Sequence, residues 1–490
     1  MAARLRRRQV LYLGMASLGT ALVGGAVVRS MQGSPRGTSP AGAPRLSSTE
    51  GTLELDLVAE ARAGTIPGGP AEVLTYNGRS PGPLLEVNPG DRVRIHLQNK
   101  LNQPTNLHFH GLHIPPTGSA DNVFLHVAPG GSTTYDFTIP SKHPAGLFYL
   151  HPHQHGLSAD QVFGGLASTL IVRGALDRIP EVAAATEHEL VLKDFASGSG
   201  DPGAAMGMGR MLGREGPLLT VNGVLNPELS IASGGLLRLR LLNASNARIY
   251  RLALEGHTMQ LIATDGGAIA RREPLQELLL APGERADVLV QGDQRGGSYR
   301  LQALPYQRSG HMGMGMGMGM MDSSSGGGNT LATVRYVGAV EPLALPTALI
   351  PVPEMPAPER TRRFVMAHAM GGMGSHGMGM GFQINGASFD PNRIDTRVQL
   401  GSTEDWVIVN NDVMDHPFHL HVNPFQVVNS SGQLPAERAW KDTILVKAGQ
   451  ETKIRVTFQD FAGRTVYHCH NLDHEDLGLM GVLQIDGTPS

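Results

Sequence analysis

Cysteine is almost absent from this chain: Cys469 is the only one in 490 residues. An internal disulfide is therefore excluded. Charge is sparse as well, at 17% of residues with a formal net charge of −3. No basic excess exists to recruit nucleic acid or an acidic membrane surface. Helical patterns are few, whereas glycine (63) and proline (33) are plentiful. That balance predicts many turns and an all-β architecture. The length predicts more than one domain, and a hydrophobic share of 41% is enough for sizeable cores.

The N-terminus reads as targeting sequence. Arg6-Arg7-Arg8-Gln9-Val10-Leu11 leads into a mildly apolar run over residues 11–28. A twin-arginine pair before a weakly hydrophobic stretch predicts export in the folded state through the twin-arginine translocase. An uncleaved membrane anchor is the alternative. Either one predicts a periplasmic or extracellular protein. Residues 32–50 are rich in Ser, Pro and Gly and read as a flexible linker, so that 1–50 is signal plus linker.

Beyond it the chain repeats weakly. Asn77-Gly78, Asn222-Gly223 and Asn385-Gly386 each precede an alternating strand, namely Val93 to Leu97, Leu236 to Leu242 and Trp406 to Asn410. A period of about 150 residues is domain-sized. Three related β-sandwich domains are expected, over 51–175, 176–340 and 361–490. The proline-rich stretch 341–360 is expected to be a semi-rigid linker.

The lone cysteine sits in Tyr467-His468-Cys469-His470-Asn471-Leu472-Asp473-His474. If Thr465-Val466-Tyr467 opens a strand, His468 and His470 share one face and Cys469 takes the other. A thiolate with a nearby imidazole suits a copper ion that changes oxidation state. The opposite face can hold other metal ions, and one strand then links the centres covalently. Three more clusters carry His-x-His spacing: His108-Phe109-His110, His151-Pro152-His153 and His416-Pro417-Phe418-His419-Leu420-His421. So many imidazoles exceed what a zinc hydrolase needs.

Taken together, these motifs resemble those of the three-domain multicopper oxidases, the family of laccases, ascorbate oxidase and periplasmic cuprous oxidases. The resemblance implies three cupredoxin-like Greek-key sandwiches holding about four copper ions. It implies that His416, Cys469 and His474 hold a mononuclear blue copper. His108 and His419 would hold the single copper of a trinuclear cluster. His110, His151, His153, His421, His468 and His470 would hold its coupled pair. His113 and His155 have no ligand counterpart, and the middle domain, with His257, would be a copper-free spacer. Glu475 and Asp121 resemble the acidic residues that serve the cluster with protons. Many bacterial relatives place a methionine ten residues after the cysteine; here that axial position is Leu479, with Met480 adjacent. Without a thioether the blue copper is expected to have a relatively high potential.

Methionine is clustered. Residues 312–321 alternate Met with Gly; Met366, His368, Met370, Met373, His376, Met378 and Met380 form a second group, and Met206, Met208 and Met211 a third. All three read as loops. Thioethers are soft ligands suited to Cu(I), so capture of cuprous ions is one reading and low-complexity sequence is the other. Asp412 and Met414, with Met366 and Met370, resemble the substrate-copper ligands of cuprous oxidases. The expectation is an exported, monomeric oxidoreductase with a role in copper homeostasis. It would couple one-electron oxidation of cuprous ions and phenolic small molecules to reduction of dioxygen to water. A laccase or bilirubin-type oxidase without that role is the alternative. From another class, a non-catalytic copper-binding or cell-division-type relative would keep the fold without the chemistry.

Overall fold

The computed structural model describes residues 43–487, except 65, 199–206, 309–327, 370–380, 430–432 and 435–437. The twin-arginine segment, residues 312–321 and Met370 lie outside the described residues. The rest is built almost wholly of β-strands, as composition predicts.

Each Asn-Gly pair forms a tight turn with both residues in the left-handed region: Asn77 and Gly78 have φ of 52° and 73°, Asn222 and Gly223 54° and 77°, Asn385 and Gly386 53° and 78°. Asparagine and glycine tolerate that region best, which is why this dipeptide closes hairpins. The asparagine side chain then clamps the turn to a neighbouring strand. Asn77 Oδ1 accepts from Val58 N–H and Nδ2 donates to the Asp56 carbonyl. Asn222 does the same with Val191 and Glu189, and Asn385 with Val365 and Arg363.

The strand so clamped pairs in parallel with the alternating strand of its own domain: Thr52–Ala63 with Arg92–Asn99, Thr186–Phe195 with Leu236–Asn243, and Arg360–Ala369 with Thr403–Asn410. Alternation explains the packing; along Arg92–Asn99, Val93, Ile95 and Leu97 are fully buried. Each unit is completed by a second sheet, giving three sandwiches with their own hydrophobic cores. The second sheets of the first and third carry the metal-ligand motifs. In one, Arg45–Ser47, Leu84–Val87, Ser168–Val172, Gly146–His151 and His108–His110 lie side by side. In the other the order is Thr396–Gln399, Met480–Asp486, Gly463–Cys469, His416–Leu420 and Thr443–Val446.

One linker expectation changes. Arg45–Ser47 falls in the stretch read as flexible, yet it pairs in parallel with Leu84–Val87. Its strand forms because Arg45 bonds Glu86 and Ser48 bonds Asp91, ties that local composition does not reveal. The proline-rich stretch forms no strand but is packed down. Leu349 joins the core of the middle sandwich, and the Pro353 and Val352 carbonyls accept from Gln426 and Arg438 of the third.

The middle sandwich contains an unusual buried charge cluster. Arg238 and Arg240, 2% and 0% exposed at the side chain, pair with Asp177, Glu187 and Asp287. Removing one partner from such a network costs about 3–5 kcal/mol. The cluster anchors Leu236–Asn243 to its antiparallel neighbour Arg285–Gln291, whose first residue reaches the metal site.

Candidate metal centres

Gly463–Cys469 lies in the middle of its sheet, with Phe418 opposite Cys469 and His419 opposite His468. Alternation therefore sends Cys469 into the third sandwich, where it is fully buried. Its Sγ is 3.5 Å from His416 Nδ1 and 3.9 Å from His474 Nδ1, and the two nitrogens are 3.1 Å apart. Both rings are held from behind: His416 Nε2 donates to Asp412 Oδ2 at 3.0 Å, and His474 Nε2 to the Met211 carbonyl at 3.0 Å. Each Nδ1 is thereby turned to the sulfur. Burial pushes the Cys469 thiol well up and the His474 imidazole well down. A cation among these atoms is what allows the thiolate to form.

Leu479 packs in the same apolar cluster as Cys469, and its carbonyl accepts the Cys469 N–H at 3.0 Å. Met480 faces the other way, against Val123 and Val466.

On the opposite side of Cys469, His468 and His470 join six histidines from the first and third sandwiches. His108 and His110 come from a short strand whose register sets His108 opposite His151. His468 Nε2 lies 3.0 Å from His421 Nε2 and 3.2 Å from His153 Nε2; His470 Nε2 lies 3.1 Å from His110 Nδ1. Three donor triads, His153/His421/His468, His108/His110/His151 and His108/His419/His421, each keep their ligand atoms within 4.8 Å. All eight rings are buried.

Multicopper oxidase family profiles match residues 59–176, 185–338 and 357–488, one per sandwich. The multicopper oxidase mco of Staphylococcus epidermidis is 31% identical over 424 residues, 85% of this chain and 84% of that one. The chain belongs to the multicopper oxidases. A Campylobacter jejuni multicopper oxidase, described as a metallo-oxidase, superposes with a TM-score of 0.76 at 30% identity, covering 92% of this chain and 96% of that one. The cell division protein FtsP of Dickeya dadantii is 29% identical over 84% of each chain. The fold is thus the expected set of cupredoxin-like sandwiches, and this multicopper oxidase is a copper-dependent oxidoreductase of a family that uses dioxygen.

The residues present fit copper. Buried ring nitrogens at His108 Nε2, His151 Nε2, His153 Nδ1, His419 Nε2, His421 Nδ1 and His470 Nδ1 have no hydrogen-bond partner. A buried polar atom without a partner is costly, and a bound cation removes the cost. Burial keeps His108, His110 and His470 well below the ordinary imidazole range, and His151 down to about 3, so these rings are neutral donors. One thiolate with many imidazoles is a copper-favouring set.

Asp121 and Glu475 both lie against the histidine cluster. Asp121 Oδ1 accepts from His108 Nδ1 at 2.7 Å and from Phe109 N–H at 2.9 Å. Burial pushes its carboxyl up to about 8. Glu475 lies 3.1 Å from His468 Nδ1 and 3.7 Å from His153 Nε2. Burial opposes its ionisation, but His153 and His468 outweigh burial and hold it below the usual range. Two carboxyl groups on one cluster are thus biased in opposite directions.

The expected substrate-copper residues separate. Asp412 Oδ2 bridges His416 Nε2 and, at 2.8 Å, His368 Nδ1, whose side chain is 30% exposed. Met414 is nearly buried beside it. Met366 departs from expectation: it lies on the strand Arg360–Ala369 and is fully buried in the apolar core with Trp406 and Phe418. Strand alternation puts it on the same inward face as Phe364, and His368, two residues on, lies at the edge of that face beside the Phe382 ring. The third methionine group also differs. Gly207–Leu212 is a short helix rather than a loop, and Met211 is buried. Tertiary contact overrides its glycines: the helix packs on Leu472–Asp476, and Arg308 donates to the Leu212 and Gly213 carbonyls. His113 and His155 carry structural contacts, His113 to Asp460 and the Val422 carbonyl, and His155 edge-on to Phe124 and Phe389. His257 bonds Tyr336 within the middle sandwich.

Sequence reasoning missed Asp442. Its Oδ1 accepts from His110 Nε2 at 2.9 Å and its carbonyl from His419 Nδ1 at 2.9 Å. The signal was a charged pair, Lys441-Asp442, inside an otherwise strand-like run. Arg285 and Gly283 of the middle sandwich were missed too: Arg285 bonds both oxygens of Asp442, and Gly283 packs against the His110 and His470 rings.

Proposed function

We propose that this multicopper oxidase is exported and oxidises cuprous ions and phenolic donors, one electron at a time, while reducing dioxygen to water. In this reading His416, Cys469 and His474 hold the blue copper, with Leu479 in the axial position. His108 and His419 hold the single copper of the cluster, and His110, His151, His153, His421, His468 and His470 hold its pair. Copper bound there would supply one-electron storage and the chemistry of dioxygen reduction.

The observation that carries the reading is the sorting of ten histidines and one cysteine onto the two sides of a single strand. His468-Cys469-His470 gives a continuous covalent path between the two ligand groups. Asp121 and Glu475, within 4 Å of cluster imidazoles, are the groups that hold and pass protons. Asp412 joins the buried His416 to the partly exposed His368, which supports donor oxidation on that side. Asp412 and Met414, with the methionine-rich segments nearby in sequence, support Cu(I) as a donor. Arg7 and Arg8 support export by the twin-arginine route.

Similarity to FtsP favours one second reading, a non-catalytic role in cell division. The complete ligand set weighs against it, because a protein without the chemistry has no need of so many buried, unpartnered imidazoles. Steady-state oxidation of Cu(I) and of a phenol under air, with oxygen uptake recorded, tests the proposal. Turnover of both is expected. A colourless, copper-free protein that consumes no oxygen favours the second reading. Arg7→Lys with Arg8→Lys is expected to retain the precursor in the cytoplasm, and unchanged export removes the twin-arginine claim.

A further inference from the structure

The middle sandwich holds no copper-binding triad among its described residues, yet it presents a wall to the eight-histidine site. Gly283 comes up against two of its rings. A Cβ there would lie 2.9 Å from His110 Cε1 and from two atoms of the His470 ring. Arg285, two residues on, is 1% exposed and spends all five of its N–H groups. Nη1 donates to Asp442 Oδ1 at 2.8 Å and to the Gly283 carbonyl at 2.9 Å. Nη2 donates to Asp442 Oδ2 at 2.6 Å and to the Asp265 carbonyl at 2.9 Å, and Nε to the Leu147 carbonyl at 3.1 Å. The guanidinium is thus locked to all three sandwiches at once. Gly111, next to His110, leaves room for it: a Cβ there would come within 2.2 Å of Nη2.

The fork grips both oxygens of Asp442, a planar pairing that lysine cannot reproduce. Asp442 in turn holds His110 by its carboxylate and His419 by its carbonyl. These two rings come from different sandwiches and stack at 3.8 Å and 12°. Behind them, Lys441 pairs with Asp265 and Glu284 and fixes the same loop.

We propose that Arg285 is a positioning residue for copper binding at the cluster, acting through Asp442 to fix the orientation of His110 and His419. The inference rests on the reading that His110 and His419 are copper ligands. Without the guanidinium, the Asp442 carboxylate loses its counter-charge and the two-point grip on its plane, and only Thr443 Oγ1, donating to Oδ1 at 2.9 Å, still braces it. The His110 Nε2–H then keeps only the longer contact to Thr443 Oγ1 at 3.2 Å as a fixed acceptor, and its Nδ1 is aimed less firmly at the site.

The test uses the full-length holoprotein and its Arg285→Lys, Arg285→Gln and Asp442→Asn variants, with Arg285→Gln/Asp442→Asn as the double variant. Copper per chain, the thiolate-to-copper visible band and the electron paramagnetic resonance of the single cluster copper are read together. Outer-sphere partners of this kind are worth about 10–100-fold in metal affinity. Each single variant is therefore expected to lose cluster copper on mild chelation at about 10-fold lower chelator, with the visible band intact. Arg285→Lys should fall short of rescue. Because Arg285 acts through Asp442, the double variant should lose no more than the worse single one. Unchanged cluster copper in Arg285→Gln overturns the proposal. So do losses that multiply in the double variant, and so does parallel loss of the visible band, which marks a general folding defect. Should Arg285→Gln fail to fold, Arg285→Lys and Asp442→Asn decide the matter alone. A His110→Ala variant separates the two readings: if it keeps all cluster copper, the ligand assignment fails, whereas its loss alongside intact Arg285 variants defeats only the present proposal.

Discussion

Replacing Leu479 by methionine tests the axial side of the blue site with little disturbance to the fold. Leu479 is fully buried beside Cys469, and a Leu-to-Met exchange conserves volume, at a cost usually below about 1.5 kcal/mol. The backbone contact from Cys469 N–H to the Leu479 carbonyl is independent of the side chain and survives. What changes is the arrival of a thioether on the face where only hydrocarbon stood. A weak axial donor stabilises oxidised copper more than reduced copper. If that preference is comparable to one hydrogen bond, about 0.5–1.5 kcal/mol, the potential falls by roughly 20–65 mV, since a one-electron couple moves about 59 mV per tenfold. Redox titration on the thiolate-to-copper visible band measures it directly. Met480→Leu is the control, because Met480 packs against Val123 and Val466 and should leave the potential where it was. An unchanged potential in Leu479→Met, together with a shift in Met480→Leu, refutes the assignment and makes Met480 the axial group.

Gly283→Ala should selectively weaken the cluster. Its φ of 82° costs an alanine roughly 1–2 kcal/mol, and its methyl must displace His110 or His470; copper analysis should show cluster copper lost and the visible band kept. Asp412→Ala leaves the buried His416 Nε2–H without its acceptor, a cost of about 1–3 kcal/mol. Rapid-mixing kinetics should then show slower reduction by Cu(I) and by phenols, with reoxidation of the prereduced enzyme by dioxygen unaltered. Deleting residues 312–321 should raise KM for Cu(I) and leave or improve turnover of bulky phenols, and equal Cu(I) kinetics would favour the low-complexity reading.

What the sequence made legible was whatever depends on near neighbours. The two-residue period of a strand sorted Cys469 from His468 and His470, and kept Met480 away from the sulfur. The three Asn-Gly pairs marked three equivalent turns because only a few residue types accept that backbone. Contacts made through space left no such trace. Asp442 reaches His110 across 332 positions and Arg285 across 157, and a single chain gives no hint that a middle-domain arginine ends at that spot. Met366 misled for a related reason. A methionine near other methionines looks like a soft ligand, but one position of alternation decides whether it faces solvent or Trp406.

The placement of the ligands along the chain has a consequence for biogenesis. His416, Cys469 and His474 all belong to the third sandwich, whereas His110 and His470 meet across 360 positions. Contacts of such separation carry the largest closure entropy and form late. A chain still leaving the ribosome, or one that ends before His468, has no pocket in which the reaction with dioxygen can start. Oxidase chemistry therefore requires a completed chain, the first sandwich docked onto the third, and bound copper. The long separation thus acts as a timing device, withholding a reactive centre until the protein around it is finished.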